Sequence, residues 1–308
     1  NTVMLSLFAD CSVSSLGKAP YLPVEYFGKE VKACDLGLNA DGRTIVYIMP
    51  IISGFLGGDM VAVMLSLDFD KRDDSVFCVD IGTNGEMAVL HKNNIFACST
   101  AAGPAFEGAE IECGMASMPG AIYKVEYADD KFKVKTIGNK KAEGICGSGL
   151  IDLCSALKDN CMIDENGTFE YDHKAYNGEQ KRINITDGVF ITQRDIRQIQ
   201  LAKAAICAGC IVLANVSTVG IENIEKVYIA GGFGSAIPTQ AADNIGILPK
   251  NLFNKAEVIG NAAGTGAVMC LLDYNNRVRA EEISKKTQTV LLNANKDFEN
   301  EFVENMLF

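Results

Sequence analysis

Between residues 76 and 100 the chain reads VFCVDIGTNGEMAVLHKNNIFACST, three short apolar runs separated by turns of a few polar residues. Runs this short with connections this tight fold back on one another as neighbouring antiparallel strands. The spacing predicts strands over 76–81, 86–92 and 94–101. The first ends in an unusual way: Phe77, Cys78 and Val79 lead into Asp80, and the turn that follows is Gly82, Thr83, Asn84, Gly85. An acid and two glycines between strands either cap a plain hairpin or hold something.

The segments after this meander limit the fold further. AIYKVEYADDKFKVKTIG (121–138) alternates apolar and polar residues around Asp129-Asp130, which predicts another hairpin. From residue 144 the period changes from two to about 3.6. GSGLIDLCSALKDN places Leu150, Leu153, Cys154 and Leu157 on one face of a helix. A long helix follows, with Thr192 as its N-cap, Asp195 three residues on as a capping-box acid, and Gly220 as its expected end. KVYIAGG reads as a buried strand and PTQAADNIG as a short helix. AEVIGNAAGTGAVMCLL reads as strand, turn and helix, and the tail as a strand and a final helix. Before residue 76 an apolar segment (Val3 to Phe8) and a proline-bearing loop lead to a strand, Pro50, a glycine-rich turn and a helix over 45–67, with Asp59 near its positive end. The charged break DFDKRDDS (68–75) suggests a boundary, giving units 1–75 and 76–308, the second with a polar insertion near 164–190. Antiparallel strands followed by alternating helices and strands make a mixed α/β sheet with helices on both faces.

Composition removes several functions. With 39 acidic against 28 basic residues the formal charge is −11, which leaves no basic field for nucleic acid. The eleven cysteines are odd in number and scattered through apolar runs, as in a reducing cytoplasm rather than a disulfide scaffold. No run approaches 18 apolar residues without polar interruption, so no membrane partner is expected. Only His91 and His173 exist, too few for a multi-histidine site. Cys207 and Cys210, the one C-x-x-C, fall inside the long helix and read as small residues that let helices approach. The first residues lack an initiating methionine and open in an apolar run, which gives the expectation that this stretch is part of a longer chain.

Four glycine-rich turns lie where strands end or helices begin: DIGTNG (80–85), GICGSG (144–149), AGGFG (230–234) and GNAAGTGA (260–267). Unpaired amides at such turns bind phosphate oxygens, and an aspartate at the strand end can orient a metal-bound water. DIGTNG resembles the phosphate-binding hairpin of the ASKHA superfamily of acetate and sugar kinases, heat-shock chaperones and actin. VYIAGGFGSAIP resembles its adenosine-binding turn, and PIISGFLGGDMVAVML and GNAAGTGAVM resemble its two connecting helices. More narrowly, CSTAAGPAFEGAEIECGM, GICGSGLID and ITQRDIRQIQLAKAAI resemble the C-terminal region of ATP-dependent reductive activators of corrinoid proteins. In that family a ferredoxin-like [2Fe-2S] domain is linked to an ASKHA region.

The resemblance implies an actin-like, ribonuclease-H-like fold, one complete lobe plus part of a second. It implies ATP and Mg²⁺ as cofactors, a corrinoid protein as partner, and an ATP-driven electron transfer that restores Co(I). Asp80 would be the catalytic acid and Mg²⁺ ligand, directly or through water, with a plain strand-end acid as the alternative. Gly82, Thr83, Asn84 and Gly85 would meet the phosphates, and Gly231, Gly232, Gly234 and Gly260 the adenosine, with Phe233 packing nearby or simply in the core. Glu107 and Glu110, in AFEGAEIECG, would face a metal or the partner, or only solvent. The cluster-binding cysteine pattern and a second D-x-G-T hairpin do not occur here, so the [2Fe-2S] cluster and the opposing lobe are expected outside this stretch, and ATP binding by the stretch alone is expected to be weak. Dimerisation through surface that the other lobe covers is a further expectation. A small-molecule kinase and a nucleotide-regulated assembly module remain as alternatives on the same fold.

Overall fold

The computed structural model describes residues 1–231 and 237–308. It begins with α1 (Thr2–Phe8), an antiparallel ribbon of β1 (Lys29–Lys32) and β2 (Ile45–Ile48), and α2 (Gly58–Ser66). The three apolar runs are β3 (Val76–Ile81), β4 (Gly85–His91) and β5 (Asn94–Thr100), an antiparallel meander as their turns require. A hairpin of β6 (Ala121–Ala128) and β7 (Lys131–Thr136) follows, with the short β8 (Gly144–Ile145) beside β6. Next come α3 (Gly147–Asp159), a small sheet of β9 (Tyr176–Asn177), β10 (Arg182–Thr186) and β11 (Val189–Thr192), and the long α4 (Gln193–Val216). The chain closes with β12 (Lys226–Ala230), α5 (Thr239–Asn244), β13 (Ala256–Gly260), α6 (Ala262–Leu272), α7 (Tyr274–Lys286), β14 (Thr287–Thr289) and α8 (Lys296–Glu304).

Six of these strands form one sheet in the order β13-β12-β3-β4-β5-β14. β12 runs parallel to both β3 and β13, and β14 parallel to β5. Successive side chains of a strand point to opposite faces, so a strand covered on both faces must be apolar at every position. Phe77, Val79 and Ile81 join Met87 and Val89 in a core with α3 and α4. Val76 and Cys78 join Ala88 and Leu90 in a second core with α2, α6 and α7. α2 and α6 touch closely: a Cβ on Gly266 would lie 2.0 Å from the Ala62 carbonyl oxygen. Segment 1–75 therefore supplies one of the helices that cover the sheet.

By length and composition α4 could cross a membrane, yet it lies mostly buried inside the protein. Its capping box is formed, with Asp195 accepting from the Thr192 amide and hydroxyl, both at 2.8 Å. Burial lowers the Lys203 ammonium to a pKa of about 8, and it donates to the Asn305 and Leu307 carbonyls at 2.7 and 2.5 Å.

One local expectation changes, and one stretch with no predicted element turns out helical. α4 stops at Val216 rather than Gly220. Thr218 takes the left-handed turn (φ 59), which lets Val219 enter the core at 1% exposure, and Gly220 (φ 70) serves the next short turn. α7 is a full helix in a stretch whose polar sequence, YNNRVRAEEISKK, carries little periodicity. It is held from outside itself, by Arg279 to Asp68 and Asp70 and by Arg277 to Glu30.

Candidate functional site

Parallel strands end at the same edge of a sheet, and here that edge gathers three of the four glycine turns, while GICGSG starts in the separate sheet of β6, β7 and β8. β3 ends at Ile81, β12 at Ala230 and β13 at Gly260, with Asp80 in register with Ala230. β4 starts there at Gly85, and α6 starts there at Asn261, whose side chain accepts from the Gly264 amide at 2.9 Å. Ligands of open α/β sheets bind at the carboxyl ends of the parallel strands.

The 82–84 turn is tight: the Gly82 amide donates to the Asn84 carbonyl at 3.1 Å. Thr83 and Asn84 are exposed, and among the described residues their amides have no protein acceptor. Such a nest of free amides suits an anion. Gly85 is buried, and a Cβ there would meet Ile206 and Thr100 at 3.1 Å, so its missing side chain makes room for α4. Gly231 (φ 105) donates to the Gly260 carbonyl at 3.1 Å and passes so close to β3 that a Cβ would lie 2.8 Å from Asp80 Oδ1. Gly260 also takes a positive φ of 62. Gly232, Phe233 and Gly234 lie outside the described residues.

Asp80 faces the α2 side of the sheet. Its direct cross-strand partner is Glu86, and Asp59 stands in the first turn of α2. Glu86 is only 9% exposed and lines a cavity of about 440 Å³ together with Asn84. Among the described residues neither the Asp80 nor the Glu86 side chain has a hydrogen-bond or ion-pair partner. Burial, and then the nearby Asp59 charge, raise Asp80 to a pKa of about 6. The same two causes, with Asp80 added, raise Glu86 to about 8. Asp59 is also raised, by burial first, although its carboxylate accepts from the Met60 amide at 2.9 Å. Asp59 thus raises Asp80, and both raise Glu86; acids gathered in this way suit a divalent cation, whose charge would remove both the desolvation cost and the repulsion.

Among the described residues no three Cys, His, Asp or Glu side chains close into a metal-ligand set. Mg²⁺ does not need one, since it keeps several waters and takes one or two carboxylates plus phosphate oxygens. An iron–sulfur cluster does need one, and these residues do not fit it.

The 3₁₀ turn Pro104–Glu107 brings a fourth carboxylate to the hairpin mouth: Thr83 Oγ1 donates to Glu107 Oε1 at 2.9 Å. Glu110 (φ 63) lies apart, beside Arg194. The Glu112 amide donates to Asp195 Oδ1 at 2.9 Å, tying this loop to α4. Cys207 and Cys210 are free thiols buried in α4, and burial pushes Cys207 up to about 12. His91 bonds Ser75 and His173 accepts from the Ala175 amide.

Sequence reasoning missed Glu86, and treated Asp59 only as a helix-end acid. A signal for Glu86 existed: in a hairpin closing at Ile81 and Gly85, residue 86 must face residue 80.

The chain matches two family profiles. Residues 74–308 match the C-terminal domain of RACo, described as the ASKHA domain, and residues 1–72 match the RACo middle region. It is 33% identical over 327 aligned residues to the corrinoid activation enzyme RamQ of Eubacterium limosum, covering 100% of this chain and 55% of that protein. It is 30% identical over 334 aligned residues to the [Co(II) methylated amine-specific corrinoid protein] reductase of Methanosarcina barkeri, covering 98% and 60%. The solved reductive activator for corrinoid, iron-sulfur protein superposes with a TM-score of 0.92 at 33% identity, over 100% of this chain and 51% of that one. The chain thus spans little more than half the length of the relatives it matches.

Proposed function

The chain belongs to the RACo family, and from that premise we propose that it is the nucleotide-facing part of an ATP-driven reductive activator of a corrinoid protein. The single observation that supports this most is the pairing, at one strand edge, of a turn with free amides and unpartnered acids on the adjoining strands. Thr83 and Asn84 would hold phosphate oxygens. Asp80, with Glu86 and Asp59 behind it, would hold the Mg²⁺ that accompanies them, directly or through water. The bound Mg²⁺ supplies charge neutralisation at the phosphates. Gly231 and Gly260 leave the strand ends bare, so a flat ligand group can approach the backbone. Segments 1–75 and 76–308 would belong to different lobes, joined through the packed α2 and α6.

The link to electron transfer is thermodynamic. A nucleotide bound between lobes favours one lobe arrangement, and hydrolysis removes that preference. If the arrangement alters affinity for the corrinoid partner, ATP turnover is coupled to the state of the partner's cobalt.

The test uses the protein at its full natural length with a Co(II) corrinoid protein and a reductant. Partner-stimulated ATP hydrolysis and Co(I) formation are expected, and Asp80→Ala should lower turnover by at least about 100-fold, roughly 2.7 kcal/mol, while leaving the circular dichroism spectrum unchanged. Unchanged turnover removes Asp80 from the site. Phosphorylation of a metabolite instead would make the protein a kinase.

A further inference from the structure

We propose that Glu107 makes the 80–85 hairpin selective for phosphate that arrives with a divalent cation, because its carboxylate holds the Thr83 hydroxyl that such a phosphate would use. This rests on the reading of the hairpin as a phosphate site. Thr83 Oγ1 donates to Glu107 Oε1 at 2.9 Å. A hydroxyl has one proton to give, so it serves the carboxylate or a phosphate oxygen, not both. A phosphate oxygen placed on Thr83 would also stand within a few ångströms of a negative charge, since that same Oε1 lies 3.7 Å from the Cβ position of Gly82. A free polyphosphate is therefore opposed twice, by competition for the donor and by repulsion. A divalent cation bound to the phosphate offsets both, because it neutralises the charge that the carboxylate repels and leaves the phosphate able to take the hydroxyl.

The placement of Glu107 is built into the backbone. The Gly103 amide donates to the Thr83 carbonyl at 2.9 Å, which ties the start of the turn to the hairpin. Ala105 and Phe106 are buried at 3% and 2% exposure. Gly108 (φ 82) ends the turn against Met115, where a Cβ would lie 2.6 Å from the carbonyl oxygen. The side chain of Glu107 itself is exposed, so replacing it leaves this framework in place.

The experiment is calorimetric titration of ATP into the full-length wild-type protein and its Glu107→Gln variant, once with Mg²⁺ and once with EDTA. In EDTA the variant is expected to bind ATP at least 10-fold more tightly than wild type, and with Mg²⁺ the two should agree within about threefold. Equal affinities in EDTA, with ATP binding observed, overturn the proposal and leave the hairpin reading standing. A variant weakened with Mg²⁺ also overturns it, by making Glu107 a metal ligand. No ATP binding by either protein in either condition removes the hairpin reading and this proposal together.

Discussion

Asp195 and Glu86 are carboxylates buried in the same protein, at 1% and 9% exposure, in opposite circumstances. Asp195 accepts from the Thr192 amide, the Thr192 hydroxyl and the Glu112 amide. The Glu86 carboxylate has no donor among the described residues, and it faces Asp80, whose carboxylate has none among them either. A buried charge surrounded by donors holds local structure together. One left without donors, beside others of its sign, is costly to fold and is kept where a cation is to be bound. The contrast separates an acid that holds the fold together from one that the fold leaves without donors, and does so without reference to any relative.

Substitutions can break that contrast or sharpen it. The largest stability effect should come from Asp195→Ala, which breaks the reciprocal half of the α4 capping box and strands the Thr192 and Glu112 amides. A loss of about 3 kcal/mol is expected from chemical denaturation. A loss near zero would mean that Asp195 is as dispensable to the fold as Glu86.

Glu86→Gln should act in the other direction. A carboxyl raised to about 8 in the folded state keeps its proton there, while the unfolded chain releases it near the ordinary glutamate value. Stability therefore declines as pH climbs from about 4.5 to 8. Glutamine removes the decline, so the variant should match wild type at pH 5 and exceed it by about 2 kcal/mol at pH 8. Equal melting curves at pH 8 would show that water already solvates Glu86.

Asp80→Asn should do the same over the narrower window from about 4 to 6, with a gain of about 1 kcal/mol above it. The smallest effect belongs to Asp59→Asn. Asp59 is the main charge raising Asp80, so its removal should shift the Asp80 carboxyl titration, followed by carbon-13 NMR, toward acid by roughly half a unit. A shift toward base would mean that Asp59 is not the repelling charge.

The elements most legible in the sequence are those whose pattern reports burial directly. The meander at 76–100 could be placed almost to the residue, because short connections leave only one way to pair. The α4 cap was readable from Thr192 and Asp195 alone, since capping is a contact between residues three apart. α7 was not, because its helix depends on Arg277 and Arg279 meeting acids more than 200 positions away. Gly220 misled for a similar reason: where a helix stops depends on which later residue has a core to enter, and Val219 does.

The candidate site divides along the same line. Asp80, Gly82, Thr83 and Asn84 fall within five consecutive residues, so their chemistry can be read as one word of sequence. Glu107 comes from a 3₁₀ turn and Asp59 from the start of α2, and nothing in their own neighbourhoods says that they end beside that word. By itself the sequence determined the class of the fold, the sheet's central meander and the glycine turn that closes its first hairpin, all of which follow from local pairing and period. Only the tertiary structure decided which acids stand together at that turn, because proximity across a sheet edge is set by strand order and helix packing. Those acids differ in role for the same reason: how much water and how many donors reach a carboxylate is a property of the packed interior.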